Sequence, residues 1–405
     1  MAAYDNPVVK CTSVALAVST ITAKVREIGY LRVLLEIMRI VILYNSSWYV
    51  FLLRQNLIKA LQSTGCSVTV IAPVDDYTER VKKLGVDFIP IVMDGTGRSP
   101  LVEAWTLSSI YRALLRVRPD AVLSFTVKCN LYAGLCRRAL EFIHLANVSG
   151  LGELFDGKTG VASAVALLYR VALARTHLVF FQNSEDKSIL SKSGAVDELR
   201  AEVIPGSGVD LERFTPIQST PRSERIFLMF GRLLPQKGFD HFIEAARQLR
   251  NRGGDRSVFW ILGAADNTRQ ESLRLRERID SAHGEGVIRY LQSTDDPLSL
   301  IRQADVVVLP STYNEGVPRS LLEALACGKP VVTTDWKGCR ETVVAGENGL
   351  LVKPHDTSSL VGALGYLAGC DSDVLERFGA RSRSLAEQRF DERLVLNSYL
   401  EALGL

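Results

Sequence analysis

From Met38 onward, short apolar runs alternate with longer amphipathic stretches, the pattern of a parallel sheet whose strands are joined by crossover helices. It predicts strands at Ile40–Tyr44, Val68–Ala72, Asp87–Ile91, Ala121–Phe125, Ile143–Val148, Leu178–Gln182 and Ala201–Ile204. After a break the alternation restarts, with strands at Ile226–Phe230, Val258–Leu262, Ile288–Leu291, Val306–Leu309, Val331–Thr334 and Leu350–Val352. The run Ala304–Leu309 is nearly all apolar, as in a strand covered on both faces. Helices are expected at Val50–Ser63, which stops before Gly65, and at Leu101–Arg116. The latter repeats apolar residues at Trp105, Ile110, Tyr111, Leu114 and Leu115 and ends in Arg112, Arg116 and Arg118. Those cations suit lipid headgroups, and equally the carboxyl-terminal turn of a core helix.

The break between the two runs of strands falls at Pro205-Gly-Ser-Gly-Val-Asp210 through Arg222-Ser223, punctuated by proline and small polar residues. The chain thus divides into an extension (1–37), a first domain (38–205), a linker (206–224), a second domain (225–389) and a last helix (390–405). Met38-Arg-Ile-Val-Ile-Leu-Tyr44 reads as the first strand of the fold. Residues 1–37 are expected to lie outside the native enzyme, or to form a loose amphipathic segment.

Its 405 residues suffice for two domains, and an apolar content of 47% with 23% charged residues indicates a folded chain rather than a disordered one. A net charge of +3 gives no argument for nucleic acid. Residues 38–200 hold 19 Lys+Arg against 14 Asp+Glu, a net of +5; residues 201–405 hold 25 against 28, a net of −3. The surplus in the first half suits a membrane surface or a diphosphate. Seven cysteines are scattered without a Cys-x-x-Cys pair, and five histidines lack ligand spacing, so neither a disulfide framework nor a metal site is expected. No apolar run reaches the ~18 residues that span a bilayer, and the amino terminus is a poor secretory signal. The scattered, odd set of cysteines leads to the expectation of a reducing cytoplasm.

The candidate chemistry lies in two segments of the second half. In Pro310-Ser-Thr-Tyr-Asn-Glu315-Gly-Val-Pro-Arg-Ser-Leu-Leu-Glu323, Glu315 follows a strand and Pro318 suits the first position of a helix. Leu321, Leu322 and Leu325 mark that helix's buried stripe. The amides of Gly316, Val317 and Arg319 then stand at a helix amino terminus, where an anion is favoured. Upstream, Ile226-Phe-Leu-Met-Phe-Gly231-Arg232-Leu-Leu-Pro-Gln-Lys237-Gly238 sets two cations just after another strand.

On these residues the chain resembles the retaining family-4 glycosyltransferases, through their E-x7-E element (Glu315, Glu323) and their Arg–Lys pair (Arg232, Lys237). The resemblance implies an α/β protein of two facing Rossmann-like domains, the GT-B fold, with an interdomain cleft. It implies that Arg232 and Lys237, beside Gly231, hold the diphosphate of a nucleotide sugar, and that Glu315 with the Gly316 and Val317 amides orients the sugar. Glu323 would bind the ribose, and Leu291 and Gln292 would contact the base. Two fixed cations can stabilise the charge that develops on a departing diphosphate without a metal, so no cofactor and no metal are expected.

Short segments such as Asn45-Ser-Ser-Trp-Tyr49, Phe125-Thr-Val-Lys128 and Asn147-Val-Ser-Gly150-Leu-Gly152 resemble a bacterial subgroup. It extends undecaprenyl-diphosphate-linked sugars and includes N-acetylgalactosaminyltransferases of the N-glycan, capsule and O-antigen pathways. UDP-sugar donors, a lipid-linked acceptor and a peripheral place at the inner membrane surface are implied. In the first domain, Asn45, Ser46 and Ser47 could offer amides and hydroxyls to a diphosphate, or simply cap a helix. Lys128 follows a strand and would face a phosphate, or only solvent. Gly150 and Gly152 would admit a ligand close to the backbone, or form a tight turn.

The expected reaction moves a hexosyl or N-acetylhexosaminyl group with retention of configuration. Two other readings stand beside it: a nucleotide-sugar 2-epimerase of the same architecture, which releases free sugar without an acceptor, and a glycan-binding partner of another transferase, which would not need the four charges.

Overall fold

The apolar runs are strands, and every paired strand runs parallel to its neighbour. The computed structural model describes residues 37–93, 99–151, 159–217, 224–252, 257–267, 269–291, 294 and 296–405. The expected extension, up to residue 36, lies outside the described residues, as do Gly152 and Gln292. The chain forms two units: one reaches Ile204 and takes in Val395–Leu405, and the other is Pro205–Leu394.

The first unit runs β1 (Arg39–Leu43), α1 (Ser47–Ser63), β2 (Ser67–Ala72), α2 (Thr78–Lys82), β3 (Asp87–Pro90), α3 (Pro100–Val117), β4 (Ala121–Phe125) and α4 (Val127–Cys136). It continues with β5 (Ile143–Val148), α5 (Thr159–Leu173), β6 (Leu178–Phe181), α6 (Ser184–Lys192) and β7 (Ala201–Val203). The sheet order is β3-β2-β1-β4-β5-β6-β7. Strand side chains alternate between faces, so Ile40 and Ile42 pack on α1 while Val41 and Leu43 pack on α3 and α4. Both faces are covered, and β1 and β4 are accordingly buried almost end to end.

Helix α3 buries Thr106, Ile110, Ala113 and Leu114. Trp105 and Leu115 share its apolar repeat, yet they are 59% and 50% exposed. The apolar stripe is wider than the face that meets the sheet.

The second unit runs β8 (Arg225–Phe230), α7 (Phe239–Asn251), β9 (Ser257–Leu262), α8 (Gln270–Gly284), β10 (Arg289–Leu291), α9 (Leu298–Gln303), β11 (Val306–Leu309) and α10 (Arg319–Ala326). Then follow β12 (Val331–Thr334), β13 (Gly349–Val352), α11 (Thr357–Gly369) and α12 (Ser372–Leu385). Its order is β10-β9-β8-β11-β12-β13. The stretch expected as a free linker instead packs into this unit. Val209, Leu211 and Phe214 are buried in its core, and the Arg383 guanidinium donates to the carbonyls of Leu211, Phe214 and Ala326.

The final helix, α13 (Glu392–Leu403), begins two residues later than expected, because Phe390 closes a π-helical turn that belongs to the second unit's core. Val395, Tyr399 and Leu403, one turn apart, enter the core of the first unit beside β1, β4 and α1.

Candidate active site

In each sheet the strand order reverses direction once, and in open parallel sheets ligands bind beyond the carboxyl ends of the two strands at that point. In the second unit these are β8 and β11. The two charged segments singled out in the sequence directly follow these two strands.

After β8, Gly231 takes φ 151°, a region that side chains avoid. Arg232 is exposed, and a 3-10 turn at Pro235–Lys237 then brings Lys237 inward, 7% exposed. Gly238 ends that turn at φ 87°, and a Cβ there would lie 2.3 Å from the Pro310 carbonyl oxygen just beyond β11. Only glycine permits this approach. The Thr312 amide donates to the Gln236 carbonyl at 2.8 Å and fastens the two turns further.

This places Lys237 Nζ 2.5 Å from Glu315 Oε1. Ser311 Oγ donates to the same oxygen at 3.4 Å, and the Tyr313 ring lies 5.9 Å from the ammonium. Glu315 leads into α10. Pro318 is the cap residue (φ −63°, ψ 123°) rather than the first helical one, so the helix starts at Arg319. Among the described residues the amides of Gly316, Val317 and Arg319 have no hydrogen-bond acceptor, as is usual for the first amides of a helix, where an anion is favoured. Gly338 presses on this turn from the β12 side: a Cβ on it would sit 1.9 Å from the Gly316 carbonyl oxygen.

Glu323 lies one turn along α10 and is buried. Burial raises its pKa, opposed by Arg319, whose Nε is 2.9 Å from Oε1, and by Arg213. Arg213 in turn pairs with Asp296 at 3.2 Å, beyond β10. The expected base contact Leu291 ends β10 and is half-buried. Of the predicted set, the fold joins Lys237, Glu315 and the Gly316–Val317 amides, leaves Arg232 exposed, and holds Glu323 in its own ion pair.

Sequence reasoning missed Ser311, Gly238, Gly338 and the pair Arg213–Asp296. Gly238 carried a signal, since a glycine directly after the lysine is what a turn ending at positive φ demands. Arg213 carried none, because it meets Asp296 only through the tertiary fold.

At the first unit's reversal point, between β1 and β4, Asn45–Ser47 were expected to offer amides and hydroxyls to a diphosphate, or to cap a helix. Ser46 is the cap residue of α1, and Asp75 Oδ2 accepts from Ser46 Oγ at 2.9 Å and from the Trp48 amide at 3.1 Å. Ser47 is buried and donates to the Pro73 carbonyl at 2.8 Å. A carboxylate from the β2–α2 turn thus lies at the start of α1, where negative charge is favoured. Asn45 Oδ1 is buried and has no hydrogen-bond partner among the described residues. Lys128 is the second residue of α4 and pairs with Glu103 of α3 at 2.6 Å, so its charge is engaged within the fold. Gly150 takes φ 127°, open to glycine alone.

The histidines of this unit are structural. His144 is fully buried, with Nε2 2.8 Å from Ser124 Oγ and Nδ1 2.9 Å from Thr176 Oγ1. Its amide donates to His177 Nδ1 at 2.9 Å. Burial first, then neighbouring positive charge, lowers the pKa of His144 to about 3 and that of His177 to about 4. Among the described residues, no group of three or more His, Cys, Asp or Glu could hold a metal ion, and no helix is long and apolar enough to cross a membrane.

Two parallel α/β units, taken with the matches that follow, make this a glycosyltransferase of the GT-B class. The chain belongs to the glycosyltransferases of group 1 and the 4-like type: residues 212–384 match the family described as Glycosyl transferases group 1, and residues 39–183 match Glycosyl transferase 4-like. It is 27% identical over 381 residues to the N,N'-diacetylbacillosaminyl-diphospho-undecaprenol alpha-1,3-N-acetylgalactosaminyltransferase of Campylobacter jejuni, covering 90% of this chain and 98% of that one. It is 29% identical over 311 residues to the UDP-Gal:alpha-D-GlcNAc-diphosphoundecaprenol alpha-1,3-galactosyltransferase of Escherichia coli, covering 72% and 76%. Among solved structures, the Anabaena protein HepE in complex with UDP and glucose superposes with a TM-score of 0.74 at 18% identity, over 90% of this chain and 99% of that one.

Proposed function

We propose that this enzyme transfers a hexosyl or N-acetylhexosaminyl group, with retention, from a UDP-sugar to a saccharide on undecaprenyl diphosphate, in surface polysaccharide or glycan synthesis. It does so peripherally at the inner face of the cytoplasmic membrane. The observation that carries the reading is the meeting of Lys237 and Glu315 beside the open amides of Gly316 and Val317. The names of the Campylobacter and Escherichia relatives supply the acceptor class.

In this mechanism the bond from the anomeric carbon to the diphosphate oxygen breaks and an acceptor hydroxyl oxygen bonds to the same face. The hydroxyl proton passes to the departing phosphate oxygen. Lys237 and Arg232 hold the diphosphate as its charge grows. Glu315 and the two amides orient the sugar, and Glu323 binds the ribose diol. Because the ammonium is positioned before the donor arrives, little reorganisation remains for the reaction itself.

The test is to incubate the purified full chain with a panel of UDP-sugars and an undecaprenyl-diphosphate-linked saccharide, reading products by mass spectrometry and the anomer by NMR. An extended lipid-linked glycan of retained configuration is expected. Free 2-epimerised sugar formed without an acceptor would replace this reading with the epimerase.

A further inference from the structure

The proposed function leaves unassigned a group of aromatic rings at the carboxyl side of the first sheet. Trp48 and Tyr49 lie in the first turn of α1, which follows β1, and Tyr77 caps α2, which follows β2. The Trp48 ring centroid is 4.8 Å from that of Tyr49 and 6.4 Å, edge-on, from that of Tyr77, and Phe51 stands 5.7 Å from Tyr77. Large aromatic side chains commonly serve a core. Tyr49 and Phe51 do pack against the core around β1 and α1. Trp48 and Tyr77 belong to no apolar core among the described residues and stay half-buried.

The two rings are held in place all the same. Asp75 accepts from the Trp48 amide through Oδ2 at 3.1 Å and from the Tyr77 amide through Oδ1 at 2.9 Å, so one carboxylate ties their backbones together. The Arg80 guanidinium lies 4.8 Å from the Tyr77 ring and 5.7 Å from the Phe51 ring and orders both. Beside Tyr77, the Asp76 carboxylate is exposed and has no partner among the described residues, and none of them accepts from the Trp48 indole N–H.

Ordered aromatic faces with a hydrogen-bond acceptor and a donor next to them suit a saccharide. The C–H face of a pyranose meets the negative face of a ring, and its hydroxyls need polar partners. The carboxyl ends of strands beside a reversal point are also where open parallel sheets take ligands. We infer that Trp48 and Tyr77 stack on a sugar of the acceptor and that Asp76 accepts from its hydroxyls, so that these three residues decide which acceptor is used. The inference rests on the proposed function in taking the acceptor to be a saccharide. A uracil base would stack as readily, but the diphosphate it carries would be repelled by Asp75 and Asp76. An isoprenoid tail would leave the Asp76 carboxylate and the indole N–H without a use.

The experiment measures binding by calorimetry in detergent micelles, without donor, and then steady-state transfer. Its probes are undecaprenyl diphosphate bearing N-acetylhexosamine mono- or disaccharides and undecaprenyl diphosphate alone. The parent should bind at least one sugar-bearing lipid about tenfold more tightly than the bare lipid. Trp48→Leu and Tyr77→Leu should each lose about tenfold of that affinity, the order expected for truncating an aromatic anchor. Acceptor KM should rise to match, with donor KM within about twofold of the parent. Trp48→Phe keeps a ring face and should recover most of the affinity, which separates lost stacking from lost folding. Asp76→Asn should change the ranking of the saccharides. Parent-like acceptor affinity in both leucine variants overturns the inference, as does a parent that binds bare and sugar-bearing lipid equally. An equal loss for the bare lipid assigns the rings to the isoprenoid, and a rise confined to donor KM assigns them to the base; either result overturns it too. If the variants lose saccharide binding as expected but the parent makes no lipid-linked product from any UDP-sugar, the aromatic platform stands and the proposed function falls.

Discussion

Lys237 and Glu315 stand on turns that follow two different strands, and their side chains meet at 2.5 Å, with Lys237 buried and Glu315 largely so. Each is the other's counter-charge, and in the proposed mechanism a diphosphate competes for the ammonium. Lys237→Ala and Glu315→Gln should each lower kcat/KM by about 10²–10³-fold, the usual effect of removing a group that stabilises developing charge. Lys237→Ala also leaves a carboxylate unpaired and should cost about 1–3 kcal/mol of stability. Glu315→Gln keeps a hydrogen-bond partner and should melt close to the parent. Near-normal turnover in both variants would remove this pair from the mechanism.

Glu323 predicts a different kinetic pattern. A ribose contact acts on ground state and transition state alike, so Glu323→Gln should raise the donor KM by about tenfold with a smaller change in kcat. Burial raises this carboxyl's pKa. Donor affinity should therefore begin to fall on acidification at a higher pH than an ordinary carboxylate would dictate, and Glu323→Gln should lack that limb. A pH profile of 1/KM identical in parent and variant would contradict the ribose role.

Asp75 caps α1 from a distant turn. Asp75→Ala removes the acceptor for the Trp48 amide and the Ser46 hydroxyl and should cost about 1–2 kcal/mol in thermal or urea unfolding. The donor KM should stay within about twofold, because the proposed diphosphate site lies in the second unit. A large rise in donor KM in a stable Asp75→Ala protein would return the start of α1 to the donor site.

His144 makes the first unit sensitive to acid. Its folded pKa of about 3 lies below the ordinary 6.5, so the unfolded chain binds more protons between those values. Stability is full above about pH 6.5 and is lost as pH falls toward 3. His177, lowered to about 4, adds to the same trend. The melting temperature should drop steadily from pH 7 to pH 5, and His144→Gln should flatten the drop. An unchanged slope in that variant would place the acid sensitivity elsewhere.

The strands were legible because a parallel strand buried on both faces is a continuous apolar run, as at Val306–Leu309 and Ala121–Phe125, where observed and expected bounds agree. The meeting of Lys237 with Glu315 was legible only through the resemblance, since nothing local says that the turns after β8 and β11 are neighbours. What the sequence hid is contact between distant polar groups. Asp75 reads as a turn residue until the fold carries it to α1, and Glu103 reads as an ordinary helix acid until Lys128 reaches it. Trp105 was ambiguous for another reason: an apolar residue at helical spacing looks the same whether it meets a sheet or solvent.

The amide of Asn147 on β5 donates to the Tyr399 hydroxyl at 2.6 Å, and Val395, Tyr399 and Leu403 complete the core around β1, β4 and α1. The half of the protein synthesised first is therefore the half finished last. Until Val395–Leu403 have been made and have cleared the ribosome tunnel, that early half holds an open apolar seam. A nascent chain of this enzyme must wait with its beginning unsealed while its later portion already folds.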